Sequence, residues 1–404
     1  MEKSNHASVE VGIAWRTPQA RHFDRYLFHN VNFWRDYFPG SMGEKLAQSG
    51  PGDVITGSFA AGEVLPERNG GNIWCLREQN LRLGANGGSV MLRQGRFYPK
   101  GLLGALPGIY PQDHHPFRYL GGQDRVHVAD LNHPLAGLDL TVKATLVELL
   151  PAKEERGGRC NDVVQEVCDN GPGLQREAAD GETDFFSGEP FARQDMTDDA
   201  CFYASPRLVN HLDNSAMEHV RAVYAPRLKP GMKVLDLMSS WNSHLPGGLP
   251  LAVTGLGMNA EELAANPRLS ARVVHDLNLN PVLPFDDEAF DAAICTVSVE
   301  YLTKPIEVFQ EVARVLRPAA PFVVTFSNRW FPPKAVKIWT ELHPFERLGL
   351  VKAYFQRATG FEHLDTESIR GYLRPADDKY ARLTPLADPI YVVSGTRSGS
   401  QPGC

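Results

Sequence analysis

Residues 290–327 read FDAAICTVSVEYLTKPIEVFQEVARVLRPAAPFVVTFS and carry the strongest signal for the fold of this chain. The two ends of this stretch, FDAAICTVS and PFVVTFS, are short apolar runs of the kind that form buried strands. Between them, KPIEVFQEVARVLRP places apolar residues at helical spacing and carries a proline near its start, which predicts an amphipathic helix. Strand, helix and strand in succession are typical of a mostly parallel sheet that helices cover on both faces.

The same alternation extends in both directions from this stretch. Upstream, RLVNHLDNSAMEHVRAVYAPRL predicts a helix, KVLDLM, LAVTGLG and ARVVHDL predict strands, and Asn259 is placed to cap a helix in NAEELAAN. Downstream, PKAVKIWTEL and FERLGLVKAYFQRA predict helices, the second ending at Gly360, and FEHLDTES and DPIYVVSGT predict an antiparallel pair. We therefore predict an α/β, Rossmann-like domain over residues 200–404, with a mostly parallel seven-stranded sheet.

The chain before this domain has a different pattern. VITGSFA, RVHVADL and LDLTVKATLVELL are rich in β-branched residues and alternate with turn clusters, which predicts a small β-rich α+β domain over residues 1–150. Residues 151–199 are charged and glycine-rich, so we expect a linker that is partly docked, with one short helix around Val163 to Cys168.

Composition narrows the class of function. The 404 residues carry a formal net charge of −7, which disfavours a nucleic-acid partner because phosphate binding needs a basic face. No segment approaches a membrane span or a signal peptide, so we expect a cytoplasmic protein without a membrane partner. The six cysteines include no CxxC pair, which indicates reduced thiols and no predicted metal site. Cys160 and Cys168 are eight residues apart, and ordinary packing and a redox or metal role both remain open for them.

Residues 200–397 resemble the class I S-adenosylmethionine-dependent methyltransferases, in the branch called type 11. VLDLMSSW stands at that family's first strand and glycine-rich loop, and VTGLGMNAEEL stands at its second strand and helix. VVHDLNLNPVLPFDDEAFDAAICTVSVEYLTKP resembles the third and fourth strands, including the pattern LPF followed by FD. FQEVARVLRPAAPFVVTFSNR resembles the next helix, turn and strand, and the final antiparallel pair also fits the family.

The resemblance implies S-adenosyl-L-methionine as the cofactor, bound at the carboxyl ends of the strands, where ligands of open α/β sheets lie. Asp276 matches the acid that accepts the adenine amino group, and Leu277 would pack on the adenine face. The full set that the resemblance assigns to cofactor binding is Asp236, Met238, Ser239, Ser240, Trp241, Gly257, Met258, Asn259, Asp276, Leu277 and Ser298.

Two departures from the family pattern stand out. Met238, Ser239 and Ser240 replace the GxG that lets the backbone approach the cofactor. Gly257 stands where the family has an acid for the ribose hydroxyls, and Asn259 is a neutral substitute nearby. Structural roles are the alternatives: capping of the strand end or turn for the acids, and helix capping for Asn259.

A methyl carried on a sulfonium is already activated, so the protein mainly aligns the attack and removes a proton where the acceptor carries one. Glu300, Tyr301 and His244 are the candidate catalytic residues, and Asn328, Arg329 and Trp330 are candidates to line an acceptor pocket; scaffold roles are the alternative for each. We expect a small-molecule acceptor, for which a thiol or sulfide is one alternative. The oligomeric state stays open between a monomer and a homodimer.

Residues from about 20 to 150 resemble an FKBP-type peptidyl-prolyl isomerase domain of the SlyD-like branch. PGSMGEKLAQSGPGD at 39–53, RFYPKGLL at 96–103 and DRVHVADLNHPLAGLDLTVKATLVELL at 124–150 carry this resemblance, most specifically through Asn132 to Gly137. Leu140 replaces the aromatic residue at the floor of the proline pocket, which puts isomerase activity in doubt. The rival to a methyltransferase is therefore an isomerase or chaperone-type binding protein whose methyltransferase domain is inactive.

Overall fold

The computed structural model describes residues 4–84, 90–104, 106–154, 158–178 and 182–399. They form two compact units: a first unit within 1–17, 27–188 and 345–350, and a second unit within 18–26, 189–344 and 351–404. The main division thus falls after Gly188, between the predicted boundaries at 150 and 200, and a short N-terminal segment belongs to the second unit. No helix in the described ranges is long and apolar enough to cross a membrane.

The elements follow one another along the chain in a regular order. The strands are β1 (His6–Arg16), β2 (Ala20–Asn32), β3 (Val54–Phe59), β4 (Ile73–Arg77), β5 (Phe97–Pro99), β6 (Pro116–Gln123), β7 (Val126–Asp130), β8 (Leu140–Leu149), β9 (Lys233–Leu237), β10 (Ala252–Gly257), β11 (Leu269–Val274), β12 (Ala292–Thr296), β13 (Pro321–Phe326), β14 (Phe361–Arg370) and β15 (Ile390–Arg397). The helices are α1 (Met42–Leu46), α2 (Val163–Asp169), α3 (Asp199–Phe202), α4 (Asn214–Tyr224), α5 (Ala260–Ala265), α6 (Pro305–Val315), α7 (Lys337–Glu341) and α8 (Pro344–Ala358).

The first unit is built from antiparallel strands. β8 pairs with β1 on one side and with β3 on the other, and its residues alternate between buried and more exposed positions because successive side chains of a strand point to opposite faces. A second sheet has the order β4-β7-β6-β5. The short helix predicted around Val163 to Cys168 is confirmed as α2, in which Cys168 is buried while Cys160 lies before the helix and is exposed.

The most specific motif of the first unit has a structural role in the described contacts. The Asn132 amide accepts a hydrogen bond from the Asn69 N–H at 2.9 Å and donates one to the Asn69 carbonyl at 3.0 Å. It also donates to Asp130 at 2.7 Å, so this side chain ties two loops together. Leu140 is buried in β8. The isomerase resemblance of this unit stays a prediction.

The second unit contains a mixed sheet in which β11-β10-β9-β12-β13 run parallel. β15 pairs antiparallel with β13, and β14 pairs antiparallel with β15, which confirms the predicted antiparallel pair. On one side of this sheet, the helix α4 buries Val220, Val223 and Tyr224 in a core cluster with strand residues. The carboxyl ends of β9, β10, β11 and β12 therefore meet at one edge.

The predicted count of seven strands is wrong because, among the described strands of the second unit, the first part of β2, residues 20–26, pairs parallel with β14 as an eighth. Arg21 forms two hydrogen bonds with Asp365 at 2.7 Å, and Ser368 donates to Asp24 at 2.9 Å. The buried positions of this segment include His22 and Asp24. A strand that buries polar side chains lacks the apolar alternation on which strand prediction depends, and this explains the miss.

Candidate functional site

A cavity lies at the carboxyl ends of β9 to β12, as the sheet predicts. The predicted residues that line it are Met238, Ser239, Ser240, Gly257, Met258, Asn259, Asp276, Leu277, Ser298 and Tyr301. The lining residues that the sequence did not suggest are Asp199, Tyr203, Arg207, His211, Leu256, Glu262, His275, Asn278, Val297 and Phe331. We call this space the strand-end cavity.

The loop after β9 is fixed by hydrogen bonds from its serines. Ser239 donates its hydroxyl to the Asp236 carboxylate at 2.6 Å and its backbone N–H to the Leu256 carbonyl at 2.7 Å. Met238 has a φ of +55°, in the left-handed region where glycine is usual, so a methionine takes the conformation that the missing glycine would adopt easily. The loop therefore keeps a tight turn without its glycines.

Asp236 holds this loop from beneath. It is buried and does not line the strand-end cavity, so a direct contact with the cofactor stays a prediction. Burial raises the pKa of Asp236 to about 6, an effect that hydrogen bonds from Ser239 and Ser243 oppose. The carboxylate is thus an internal acceptor for the loop.

Ser240 and Trp241 are bonded to neighbouring segments. The Ser240 hydroxyl donates to Glu262 at 2.6 Å, and the other Glu262 oxygen accepts the Arg207 N–H at 2.7 Å. The Trp241 indole donates to the Val209 carbonyl at 3.1 Å and does not line the strand-end cavity. Glu262, on α5, therefore gives the cavity an acid that the sequence did not suggest.

The end of β10 brings the backbone close to the loop. A Cβ at Gly257 would lie 2.1 Å from the Ser239 carbonyl oxygen, so only glycine fits there. Asn259 accepts hydrogen bonds from the N–H groups of Glu261 at 2.9 Å and Glu262 at 3.0 Å, and it donates to the Tyr203 carbonyl at 2.9 Å. The predicted helix cap is confirmed, and both ends of the Asn259 amide are engaged.

The turn after β11 contains Asp276, which uses only one of its carboxylate oxygens within the turn. Oδ1 of Asp276 accepts the N–H groups of Asn278 at 2.8 Å and Leu279 at 3.1 Å, which fixes the turn. No hydrogen bond to Oδ2 is found in the described part of the chain. Leu277 is buried and lines the strand-end cavity beside it. A carboxylate oxygen and an apolar side chain therefore stand together at the cavity wall.

The segment after β12 contributes Ser298 and Tyr301. The Ser298 hydroxyl donates to the Thr296 carbonyl at 2.9 Å. The Tyr301 hydroxyl accepts the Phe331 N–H at 2.8 Å, and the two rings stack with centroids 6.0 Å apart. Burial first, and then the Glu300 carboxylate, raise the pKa of Tyr301 well above its usual value, so this phenol keeps its proton.

Two of the predicted catalytic residues, Glu300 and His244, lie outside the lining of both cavities, and their catalytic roles stay predictions. Glu300 is 1% exposed and lines neither the strand-end cavity nor its neighbour. His244 also lines neither; burial lowers its pKa to about 4, and its φ of +50° belongs to the loop geometry. The sequence placed both correctly after strands, but a position after a strand does not fix the direction of a side chain.

A second cavity, the acceptor-side cavity, shares four lining residues with the first: His211, Val297, Tyr301 and Phe331. Asn328, Arg329 and Trp330 line it, as the candidate acceptor residues would. Arg329 lies 3.3 Å from the Asp388 carboxylate and 4.8 Å from the Tyr380 ring centroid. Lys379 lies 4.9 Å from the same ring. The acceptor-side cavity therefore combines aromatic and cationic side chains.

Beside the strand-end cavity, Asp199 anchors a buried polar cluster. Arg193 forms two hydrogen bonds with it at 2.8 and 2.9 Å, Asn278 donates at 2.8 Å, and the fully buried Lys334 lies 3.2 Å away. These contacts join residues 193–199 to the turns after β11 and β13. Within the described ranges, no group of histidine, cysteine and acidic side chains could hold a metal ion.

Residues 242–324 match the family model of a methyltransferase domain, a match that begins just after the loop lacking glycines. Botryococcene C-methyltransferase of Botryococcus braunii is 36% identical over 107 residues, 24% of this chain and 28% of that protein. Sterol methyltransferase-like 1 of the same organism is 29% identical over 148 residues, 33% of this chain and 37% of that protein. The chain thus spans about a third of the length of these relatives.

Solved structures also resemble part of the chain. A SAM-dependent methyltransferase of Methanosarcina mazei covers 44% of this chain and 97% of its own, with 16% identity and a TM-score of 0.29. The [4+2]-cyclase SpnF covers 49% of this chain and 91% of its own, with 14% identity and a TM-score of 0.34. Residues 242–324 of the second unit therefore match a methyltransferase domain, and this match supports S-adenosyl-L-methionine as the cofactor.

Proposed function

We propose that this protein transfers a methyl group from S-adenosyl-L-methionine to a small-molecule acceptor. The observation that carries the proposal is the strand-end cavity, which is continuous in its lining with the acceptor-side cavity. A cofactor in one and an acceptor in the other would meet near the shared residues. Such a placement would align the cofactor and the acceptor, and alignment is the main way in which a protein accelerates methyl transfer from an activated sulfonium.

The residues of the strand-end cavity suit this cofactor. Gly257 has no side chain, so its backbone can lie against the loop after β9. A Cβ at this position would lie 2.1 Å from the Ser239 carbonyl oxygen. Asp276 offers Oδ2 to the adenine amino group, and Leu277 offers an apolar surface to the base. Arg207 lines the same cavity and can pair with the carboxylate of the methionine moiety. When bound, the cofactor supplies a methyl group activated by the positive sulfonium.

Glu262 is our candidate for the missing ribose-binding acid. It stands in the first turn of α5, just after the position where the family's acid is replaced by Gly257. Its side chain lines the strand-end cavity, and each of its oxygens accepts one hydrogen bond while retaining further acceptor capacity. Asn259, whose amide is already engaged at both ends, serves as the helix cap that positions Glu262.

The acceptor-side cavity favours a polar acceptor. The relatives named above are sterol methyltransferase-like 1 and botryococcene C-methyltransferase, but this cavity presents Arg329 and Lys379 beside aromatic rings. Because Asp213 and Asp378 also line this cavity and Arg329 is paired with Asp388, the surface suits a planar acceptor that carries a polar group. A thiol or sulfide remains one alternative for the reacting atom.

Two measurements separate this proposal from the rival in which the domain is inactive and the chain acts as a binding protein. Thermal unfolding with S-adenosylmethionine or S-adenosylhomocysteine should show a stabilisation that grows with ligand concentration. Mass spectrometry should then detect a methylated product in a panel of thiols, phenols, amines and carboxylates. No stabilisation at millimolar ligand would overturn the proposal. The isomerase activity of the first unit stays a prediction without a supporting contact.

A further inference from the structure

We propose that His211 is the catalytic base, the group that takes up the proton of the acceptor during methyl transfer. This inference rests on the proposed function and assigns a residue that the sequence did not suggest. It commits the acceptor to a class in which the nucleophilic atom carries a proton, a hydroxyl or an N–H, and it disfavours a thiolate. Its basis is the position of His211 between the two cavities.

The position singles out one imidazole. Of the four residues that line both cavities, His211, Val297, Tyr301 and Phe331, only the histidine and the tyrosine carry an ionisable group. The Tyr301 hydroxyl is already an acceptor of the Phe331 N–H, and it keeps its proton at neutral pH. His211 is therefore the group at the junction that can accept a proton.

The surroundings of His211 favour the neutral imidazole that a base requires. Burial against its neighbours lowers its pKa, and the charges of Arg207, Lys379 and Arg329 lower it further, while the Glu262 carboxylate opposes them. The imidazole packs edge-on against Phe331 with centroids 5.1 Å apart. Neither ring nitrogen hydrogen-bonds a residue in the part of the chain that the structure describes, which leaves both for an acceptor or water.

The acceptor atom loses its proton as it gains the methyl group. The acceptor atom forms a bond to the methyl carbon while the carbon–sulfur bond breaks, and that electron pair stays on sulfur as a neutral thioether. The proton of the acceptor moves to a ring nitrogen of His211, which becomes an imidazolium. Because the residue is exposed on one side, the proton can then pass to water. General-base catalysis of this kind contributes about 10²–10⁴-fold to a rate.

The first test needs no acceptor. Diethyl pyrocarbonate modifies neutral imidazoles, and mass spectrometry of peptides reports its rate at each histidine. We expect His211 to react with an apparent pKa below that of a model histidine peptide, and S-adenosylhomocysteine to slow this reaction. The exposed His363, which lines neither cavity, should react equally with and without that ligand. An unreactive His211, or one that S-adenosylhomocysteine leaves unprotected, would overturn the proposal.

The second test uses the acceptor found in the panel above. His211→Asn should lower kcat about 100-fold or more and remove the acidic limb of the pH profile, while His363→Asn changes neither. Calorimetry should show wild-type affinity for S-adenosylhomocysteine in both variants. If His211→Asn still binds S-adenosylhomocysteine and keeps the wild-type kcat and pH profile, His211 is not the base. The proposed function would stand in that case. Failure of the wild-type protein to bind would overturn the proposed function itself.

Discussion

The ends of β9 and β10 differ from the end of β11 in how their polar groups are used. At the first two, Ser239 and Ser240 donate their hydroxyls to Asp236 and Glu262, so the side chains hold one another. At the third, Asp276 lines the strand-end cavity and fixes its turn with one carboxylate oxygen, while the other accepts no hydrogen bond from the described residues. The loop after β9 is thus held by internal hydrogen bonds where glycines are usual. Because its side chains are engaged in these bonds, we expect the cofactor to contact mainly the backbone of this loop.

We expect the largest loss of cofactor affinity from a substitution that separates the end of β10 from the loop after β9. Gly257→Ala forces the Ser239 carbonyl to move, since the new Cβ would lie 2.1 Å from its oxygen. We expect S-adenosylhomocysteine affinity to fall about 100-fold or more, equivalent to about 3 kcal/mol. Gly247→Ala is the matched control, because nothing lies within 4 Å of its Cβ position. Equal affinities in a folded Gly257→Ala variant would contradict the backbone contact.

A second effect concerns the buried acceptor under the loop. The pKa of Asp236 is raised from 3.8 to about 6, so its contribution to stability is present below pH 3.8 and is lost as the pH rises through about 6. Asp236→Asn removes this loss. Its free energy of unfolding relative to wild type should rise by about 3 kcal/mol across that window. Denaturant titrations at several pH values measure it, with the exposed Asp286→Asn as control. A pH-independent difference would show that Asp236 stays ionised without cost.

The third strand end should respond through its side chain. Asp276→Ala should weaken S-adenosylhomocysteine binding at least about tenfold, about 1.4 kcal/mol, with the fold intact. Asp276→Asn can keep the Oδ1 hydrogen bonds of the turn, so a comparable loss there would identify the carboxylate as the contact. Asp286→Ala, nearby and exposed, should bind normally. Unchanged affinity in both Asp276 variants would remove this residue from the site.

The smallest effect distinguishes the backbone of the loop from its side chain. Met238→Gly and Met238→Ala both remove the side chain, but only glycine adopts a φ of +55° without steric cost. We expect the glycine variant to be more stable than the alanine variant by about 1 kcal/mol. Thermal unfolding of the two variants provides the comparison. An alanine variant of equal or greater stability would mean that the loop relaxes out of this conformation.

In the second unit, the strands and helices that have a regular apolar pattern could be predicted from the sequence. Prediction failed at residues 20–26, which bury polar side chains as an extra strand, and at residues 207–213, which were predicted to begin a helix. That helix starts only at Asn214, because Asp213 accepts the Ala216 N–H at 2.9 Å and caps it there. Leu208 and Val209, although at helical spacing, are exposed.

This shorter helix explains the residues missed at the site. Arg207 and His211 lie in the non-helical segment before α4 and line the strand-end cavity. No strand-end signal marks them, so sequence reasoning limited to the motifs after strands could not include them. The same reasoning correctly gave about half of the lining, including Gly257 and Asp276, because a parallel sheet gathers the carboxyl ends of its strands at one edge.

We propose that a loop without glycines still forms the cofactor site. A calorimetric titration of the whole chain with S-adenosylmethionine is the decisive experiment. We predict saturable binding at one site per chain, weakened by Gly257→Ala and unchanged by Gly247→Ala. An absence of binding heat at millimolar ligand over a range of temperatures, or equal binding by both variants, would contradict it.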